Sequence, residues 1–154
     1  MKRLLIALAL AAPLGAAFGI QAAAPTLEVQ RPWSRPAVSG TNGVGYMVVV
    51  NHGAAADVLE KVESAIASRV EMHSSDMSGG VMSMKKEDKV QVPARGQITF
   101  GPGAYHLMFV GLTRTLKAGD NVSATLSFTS GTRIKVSFPV GAGMGPAAMA
   151  GMAH

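Results

Sequence analysis

Cysteine is absent from the sequence. No disulfide framework is available, so an exported form must be held together by its core. Thiolate chemistry goes with it: no cysteine nucleophile, no thiol redox couple, no Cys-based zinc site and no blue-copper electron-transfer centre. Catalytic signatures are equally scarce. There is no HExxH, no GxSxG and no phosphate-loop motif, and the GxGxG at 141–145 lacks the strand–helix setting of a nucleotide site. Strong charge is lacking too. The 14 basic and 9 acidic residues give +5, and without Lys2 and Arg3 the balance is 12 against 9, or +3. That excess is too small and too scattered to point to nucleic acid; Lys85, Lys86 and Lys89 read as a solvated strand end.

Long apolar runs are missing except at the start. Lys2 and Arg3 precede an apolar stretch over 4–14, and small residues follow to Ala24. A charged start, a short apolar middle and a small-residue end make a secretory signal peptide over 1–24. The stretch is short for a membrane span and contains Pro13, so cleavage is expected rather than a stable anchor. Pro25 next to the bond after Ala24 disfavours a cut there, and Gly19 and Ala22 are rival positions. The expected location is the periplasm, with a domain over 25–140.

Helical periodicity is nearly absent as well. The residues over 25–36 read as an extended lead-in, with Leu27, Val29 and Trp33 on alternate positions and Trp33 expected as a core anchor. GYMVVVN at 45–51 is a buried strand that ends at the Asn51-His52-Gly53 turn, which leaves His52 exposed. Residues 57–65 read as a strand or a short helix. Further strands are expected at 69–75, 81–86, 90–92, 97–100, 105–111, 121–129 and 132–140, punctuated by Gly and Pro. Ten short strands and no internal repeat predict an all-β sandwich or barrel. The last stretch, GAGMGPAAMAGMAH at 141–154, has no strand pattern and reads as a mobile tail.

What the sequence does have is methionine and a pair of well-placed histidines. The stretch 71–112 holds five of the ten methionines and two of the four histidines. Imidazole nitrogen with thioether sulfur suits Cu(I), whereas hard cations want oxygen and zinc prefers Cys, His or carboxylate. Any one methionine is ordinarily a core filler; strand geometry is what brings four candidates together. His106 and Met108 are two apart and share a strand face. A hairpin over 69–86 with its connection at 76–81 sets His73 opposite Met84, Glu71 opposite Lys86 and Ser75 opposite Met82. Its other face carries Ser83 and Lys85, so the hairpin should project from the body. The expected metal site is His73, Met84, His106 and Met108.

The spacing H-x10-M-x21-H-x-M of these four residues resembles the signature of the periplasmic CuA-site copper chaperones, the PCuAC family. PWSRP at 32–36, GVMSMK at 80–85, GPGAYHLMFVGL at 101–112 and LKAGD at 116–120 also sit where that family has similar segments. The resemblance implies a cupredoxin-like β-barrel that binds one Cu(I) and passes it toward the CuA centre of cytochrome c oxidase. The partner it implies is the apo CuA domain of subunit II or another copper chaperone. The tail resembles Met/His-rich extensions of some members: Met144, Met149, Met152 and His154 are a candidate secondary site, open to Cu(II), against the equal reading of a disordered tail with incidental methionines. Rival classes are an enzyme, a structural or adhesive β-sandwich, and a copper storage or resistance protein without an oxidase partner.

Overall fold

The computed structural model describes residues 26–141. The signal peptide and the tail candidates Met144, Met149, Met152 and His154 therefore lie outside the described residues.

Two sheets face each other. One is built from β1 (Leu27–Ser34), β2 (Gly43–Asn51), β4 (Ala67–Asp76), β5 (Ser83–Glu87), β7 (Gly96–Phe100) and β8 (His106–Leu112). The other is built from β3 (Asp57–Glu63), β6 (Val90–Val92), β9 (Asn121–Phe128) and β10 (Arg133–Pro139). The larger sheet runs β1-β2-β8-β4-β5, with β7 on the second half of β2; the smaller runs β10-β9-β3-β6. All ten expected strands are present, their ends within a few residues of the expected bounds, and 57–65 resolves as strand. The fold is the expected all-β sandwich of cupredoxin-like type.

Alternation explains the core. On β8, Leu107 and Phe109 are fully buried while Met108 and Val110 are only partly so, and β4 aligns Met72 with Leu107 and Val70 with Phe109. These inward positions meet Leu126, Phe128, Val136 and Phe138 of the opposite sheet, with Phe109 and Phe138 in edge contact at 6.0 Å. The residues between them, His73, His106 and Met108, belong by parity to the outer face of the larger sheet. The inward face thus holds the outward face in place through the shared backbone.

Gly45 is where this packing is tightest. A Cβ there would come within 2.8 Å of the Phe109 ring. Gly45→Ala is expected to cost about 1–3 kcal/mol, as overpacking of a dense core does, measured as a lower midpoint in urea with unchanged slope.

Two expectations are corrected. Trp33 is not in the core. Gln30 pairs with Val48 but Trp33 pairs with Tyr46, so β1 carries one extra residue, and Arg31 sits there with φ 49°. This β-bulge reverses the side-chain parity of everything after it. Leu27 faces inward, Ser34 becomes fully buried, and Trp33 turns to the outer face. There its ring lies 4.5 Å from Tyr46, with the Arg35 guanidinium 5.5 Å from both rings.

The second correction is the hairpin register. His73 pairs with Lys86 and Ser75 with Met84, and Asp76 with Ser83 closes the ladder. The expected pairing is therefore off by two residues on β5. The cause is the connection. Asp76 Oδ1 accepts hydrogen bonds from Ser78 N and Ser78 Oγ, and Ser78–Gly80 forms a single 3-10 turn with Gly79 and Gly80 at positive φ. The connection keeps the expected six residues but runs from Met77 to Met82, one position later than expected, which moves each β4 residue to a partner two residues further along β5. The projecting character stands: β5 pairs with β4 alone and is almost wholly exposed.

Candidate metal centre

The centre of the site is the cross-strand pair His73–His106 of β4 and β8, whose ring centroids lie 5.6 Å apart. The next pair on that face is Glu71–Met108. His106 is 6% exposed, and the His73 side chain 14%. Two imidazoles and a thioether therefore share one patch of sheet, largely shielded from water.

Hydrogen bonds fix which nitrogen of each ring is free. His73 Nε2 lies 3.0 Å from Glu71 Oε2. Glu71 is held ionised: hydrogen bonds from Arg69 Nε (2.8 Å) and from His73, with Lys86 Nζ at 3.8 Å, pull its pKa down to about 2. A carboxylate only accepts, so Nε2 of His73 carries a proton, and in the neutral ring it is Nδ1 that keeps the lone pair. That Nδ1 is buried and has no hydrogen-bond partner, the one such side-chain nitrogen or oxygen among the described residues. A buried polar atom left unpaired costs about 1–3 kcal/mol, a cost that a bound cation removes. His106 directs Nδ1 at the Ala104 carbonyl, 3.4 Å away, which leaves Nε2 as its lone-pair nitrogen. Burial pushes the His106 pKa down, partly offset by that carbonyl, so the ring is neutral at pH 7. Each ring thus offers one unprotonated nitrogen, oriented by a partner on the other, the arrangement typical of metal-binding histidines.

Met108 is positioned by a residue that strand patterns do not reveal. Asn42 Nδ2 lies 3.7 Å from Met108 Sδ, while Asn42 Oδ1 accepts from Gly111 N at 3.2 Å. Asn42 lies in the loop before β2, 66 residues from Met108, so no local spacing signals it. Glu71 had a visible signal, its i,i+2 relation to His73, but was expected only as a partner of Lys86. Glu71→Ala is expected to lower metal affinity by about 10–100-fold, the usual cost of an outer partner. Glu71→Gln, which keeps an acceptor, should lose less. Competition titration against a Cu(I) chelator reads both.

Met84 stands apart from the other three. It is 59% exposed and opposite Ser75, so it is the diagonal neighbour of His73. Diagonal Cβ atoms lie about 7–8 Å apart, within reach of methionine's three flexible torsions. Met82 lies beyond the end of the ladder, farther still. Among the described residues no three His, Cys, Asp or Glu side chains gather closely enough to hold a metal ion; the further donors expected beside the histidine pair are the thioethers of Met84 and Met108. His52, as expected, is exposed and lies elsewhere, 2.9 Å from Glu28.

Known proteins share this architecture. The copper-bound PCuAC domain from PmoF2 superposes with a TM-score of 0.65 at 26% identity, over 79% of this chain and 97% of that one. CuI-DR1885 from Deinococcus radiodurans, solved in solution, matches with a TM-score of 0.57 at 28% identity, over 73% of this chain and 78% of that one. A protein of Leifsonia xyli subsp. xyli described as "Putative lipoprotein Lxx21020" is 30% identical over 115 residues, 74% of this chain and 69% of that protein. Residues 27–140 match the family model described as "Putative lipoprotein LpqE-like". The chain belongs to the LpqE-like family, and its β-sandwich is that of the PCuAC domains.

Proposed function

We propose that the protein is an exported copper carrier. It binds one Cu(I) through His73 Nδ1, His106 Nε2, Met84 and Met108 and delivers it toward the CuA centre of cytochrome c oxidase. The observation that carries this reading is the histidine pair: two rings 5.6 Å apart, one with a buried nitrogen that nothing satisfies. Copper binding by the similar PmoF2 domain and by DR1885 supports the choice of metal. The relatives described as lipoproteins, together with the N-terminal pattern of Lys2, Arg3 and the apolar run, support export to the periplasm.

The cargo is handled by ligand exchange, with no redox change and no proton transferred to it. Glu71 keeps His73 in the ligating tautomer, and the Ala104 carbonyl does the same for His106. Asn42 restrains Met108. Met84, on the exposed edge strand, is the ligand that moves with least resistance. A recipient's donor replaces it from the solvent side while the two histidines still hold the ion. The protein is a carrier in this reading, not an enzyme. The tail residues Met144, Met149, Met152 and His154 would supply a weaker second site, open to Cu(II).

Transfer tests the recipient. Cu(I)-loaded protein mixed with apo CuA domain of oxidase subunit II should yield the optical bands of the CuA centre once a second copper and oxidation are supplied. The loaded carrier itself should be colourless and spin-silent, because Cu(I) has a filled d shell and no thiolate is present. Retention of copper in the face of apo CuA, with several ions bound per chain, would instead identify a storage or resistance protein.

A further inference from the structure

Five large apolar side chains are exposed among the described residues: Val38, Met77, Val81, Met82 and Met84. Four of them fall within eight consecutive positions of the β4–β5 hairpin, and three of those are methionine. Single exposed apolar residues are normal on a protein surface; this concentration at one hairpin is not. The other described methionines behave differently. Met47 and Met72 are core, 1% and 5% exposed, and Met108 is half-buried under Asn42.

The register says where the exposed thioethers stand. The ladder runs His73–Lys86, Ser74–Lys85, Ser75–Met84, Asp76–Ser83. One residue beyond the last pair on either side come Met77 and Met82, the two ends of the six-residue connection. Gly80 N bonds to the Met77 carbonyl at 3.3 Å, and the Asp76–Ser78 bonds brace the same corner, so the mouth is a closed turn. Asp76 and Ser83 are the opposed pair at the mouth, with Cβ atoms about 4.5–5.5 Å apart; two methionines attached one residue beyond so narrow a base have the flexible torsions to close around one soft cation. Met84, two residues from Met82, is the next thioether inward, toward His73. Cations of low coordination number and soft character accept such a donor set, and hard divalent ions do not.

We propose that Met77 and Met82 form a second, weaker site for a soft monovalent cation at the mouth of the hairpin, with Met84 as the donor shared with the histidine site. Its ligands are Cu(I) and its redox-inert analogue Ag(I). It is a loading position: the ion arrives on the two outer thioethers, gains Met84, and moves to the two imidazoles by exchange of neutral ligands, its oxidation state unchanged. This inference rests on the reading of His73, Met84, His106 and Met108 as the principal site.

The test is Ag(I) titration of the full-length chain carrying methyl-labelled methionine, with resonances assigned by single Met→Leu variants. The first equivalent should move the Met84 and Met108 methyl signals. A further equivalent should move Met77 and Met82, separately from Met144, Met149 and Met152. The variant Met77→Leu with Met82→Leu, both at exposed positions, should keep the first step, lose the second, and take Ag(I) more slowly from a chelator. If Met77 and Met82 stay silent while the tail methionines saturate, or if the double variant loads at the parental rate, the proposal is overturned. Failure of Met84 and Met108 to respond to the first equivalent would instead overturn the principal site, whatever the outer pair does.

Discussion

Met84→Leu is expected to weaken Cu(I) binding by more than the ~10–100-fold that loss of an outer partner costs, with the fold intact. Leucine keeps the apolar bulk and removes the sulfur, and a side chain 59% exposed on an edge strand contributes little to the core. Met82→Leu should do little to the principal site alone, because Met82 lies beyond the last paired residues of the hairpin. It should matter more in the Met84→Leu background, where Met82 is the nearest remaining thioether on β5. The reason for this ranking is the observed ladder: Met84 is a diagonal neighbour of His73, and Met82 is one pair more distant. Competition titrations on the two single variants and the double variant measure it. A larger loss from Met82→Leu than from Met84→Leu would mean that the hairpin folds onto the ion in another register.

Acid is expected to strip the metal steeply. Ligation requires neutral imidazole, so each histidine that must shed a proton adds one decade of affinity loss per pH unit. Burial lowers the His106 pKa, so its competition sets in below the ordinary histidine value of about 6.5. Affinity should be nearly flat from pH 8 to 7 and fall below about pH 6. The same shift bears on the metal-free fold. A histidine whose pKa is lower folded than unfolded binds fewer protons in the native state. Its stabilising contribution is therefore fully present above the unfolded value and is lost as pH falls through the folded one. The unfolding midpoint of the apo protein should drop over that window, and that of the loaded protein should drop less until the metal leaves. Affinity unchanged well below pH 6 would mean that histidine is not a principal ligand.

Much of this was legible in the residues, because strand parity is local. The i,i+2 relation of His106 and Met108 survives any choice of partner strand, and Leu107 and Phe109 between them are apolar enough to face only the core. His73 shares a face with Glu71 for the same reason. What failed was information that parity does not carry. The bulge at Arg31 is a backbone event, and it sent Trp33 to the outer face although its spacing from Leu27 and Val29 points inward. The hairpin register depended on a turn stabilised by Asp76 and two left-handed glycines, which sets a connection of the same six residues one position later than the one assumed. The apposition of His73 and His106 came from pairing β4 with β8, which joins residues distant in sequence, and Asn42 reaches Met108 from a loop with no periodicity at all.

Copper K-edge absorption on the full-length chain loaded with one equivalent of Cu(I) tests the central claim most directly. The account predicts a first shell of two imidazole nitrogens, with their ring multiple-scattering, and two sulfurs, and the loss of one sulfur when Met84→Leu is combined with Met82→Leu. A shell of nitrogen and oxygen alone, or one without imidazole scattering, would contradict it.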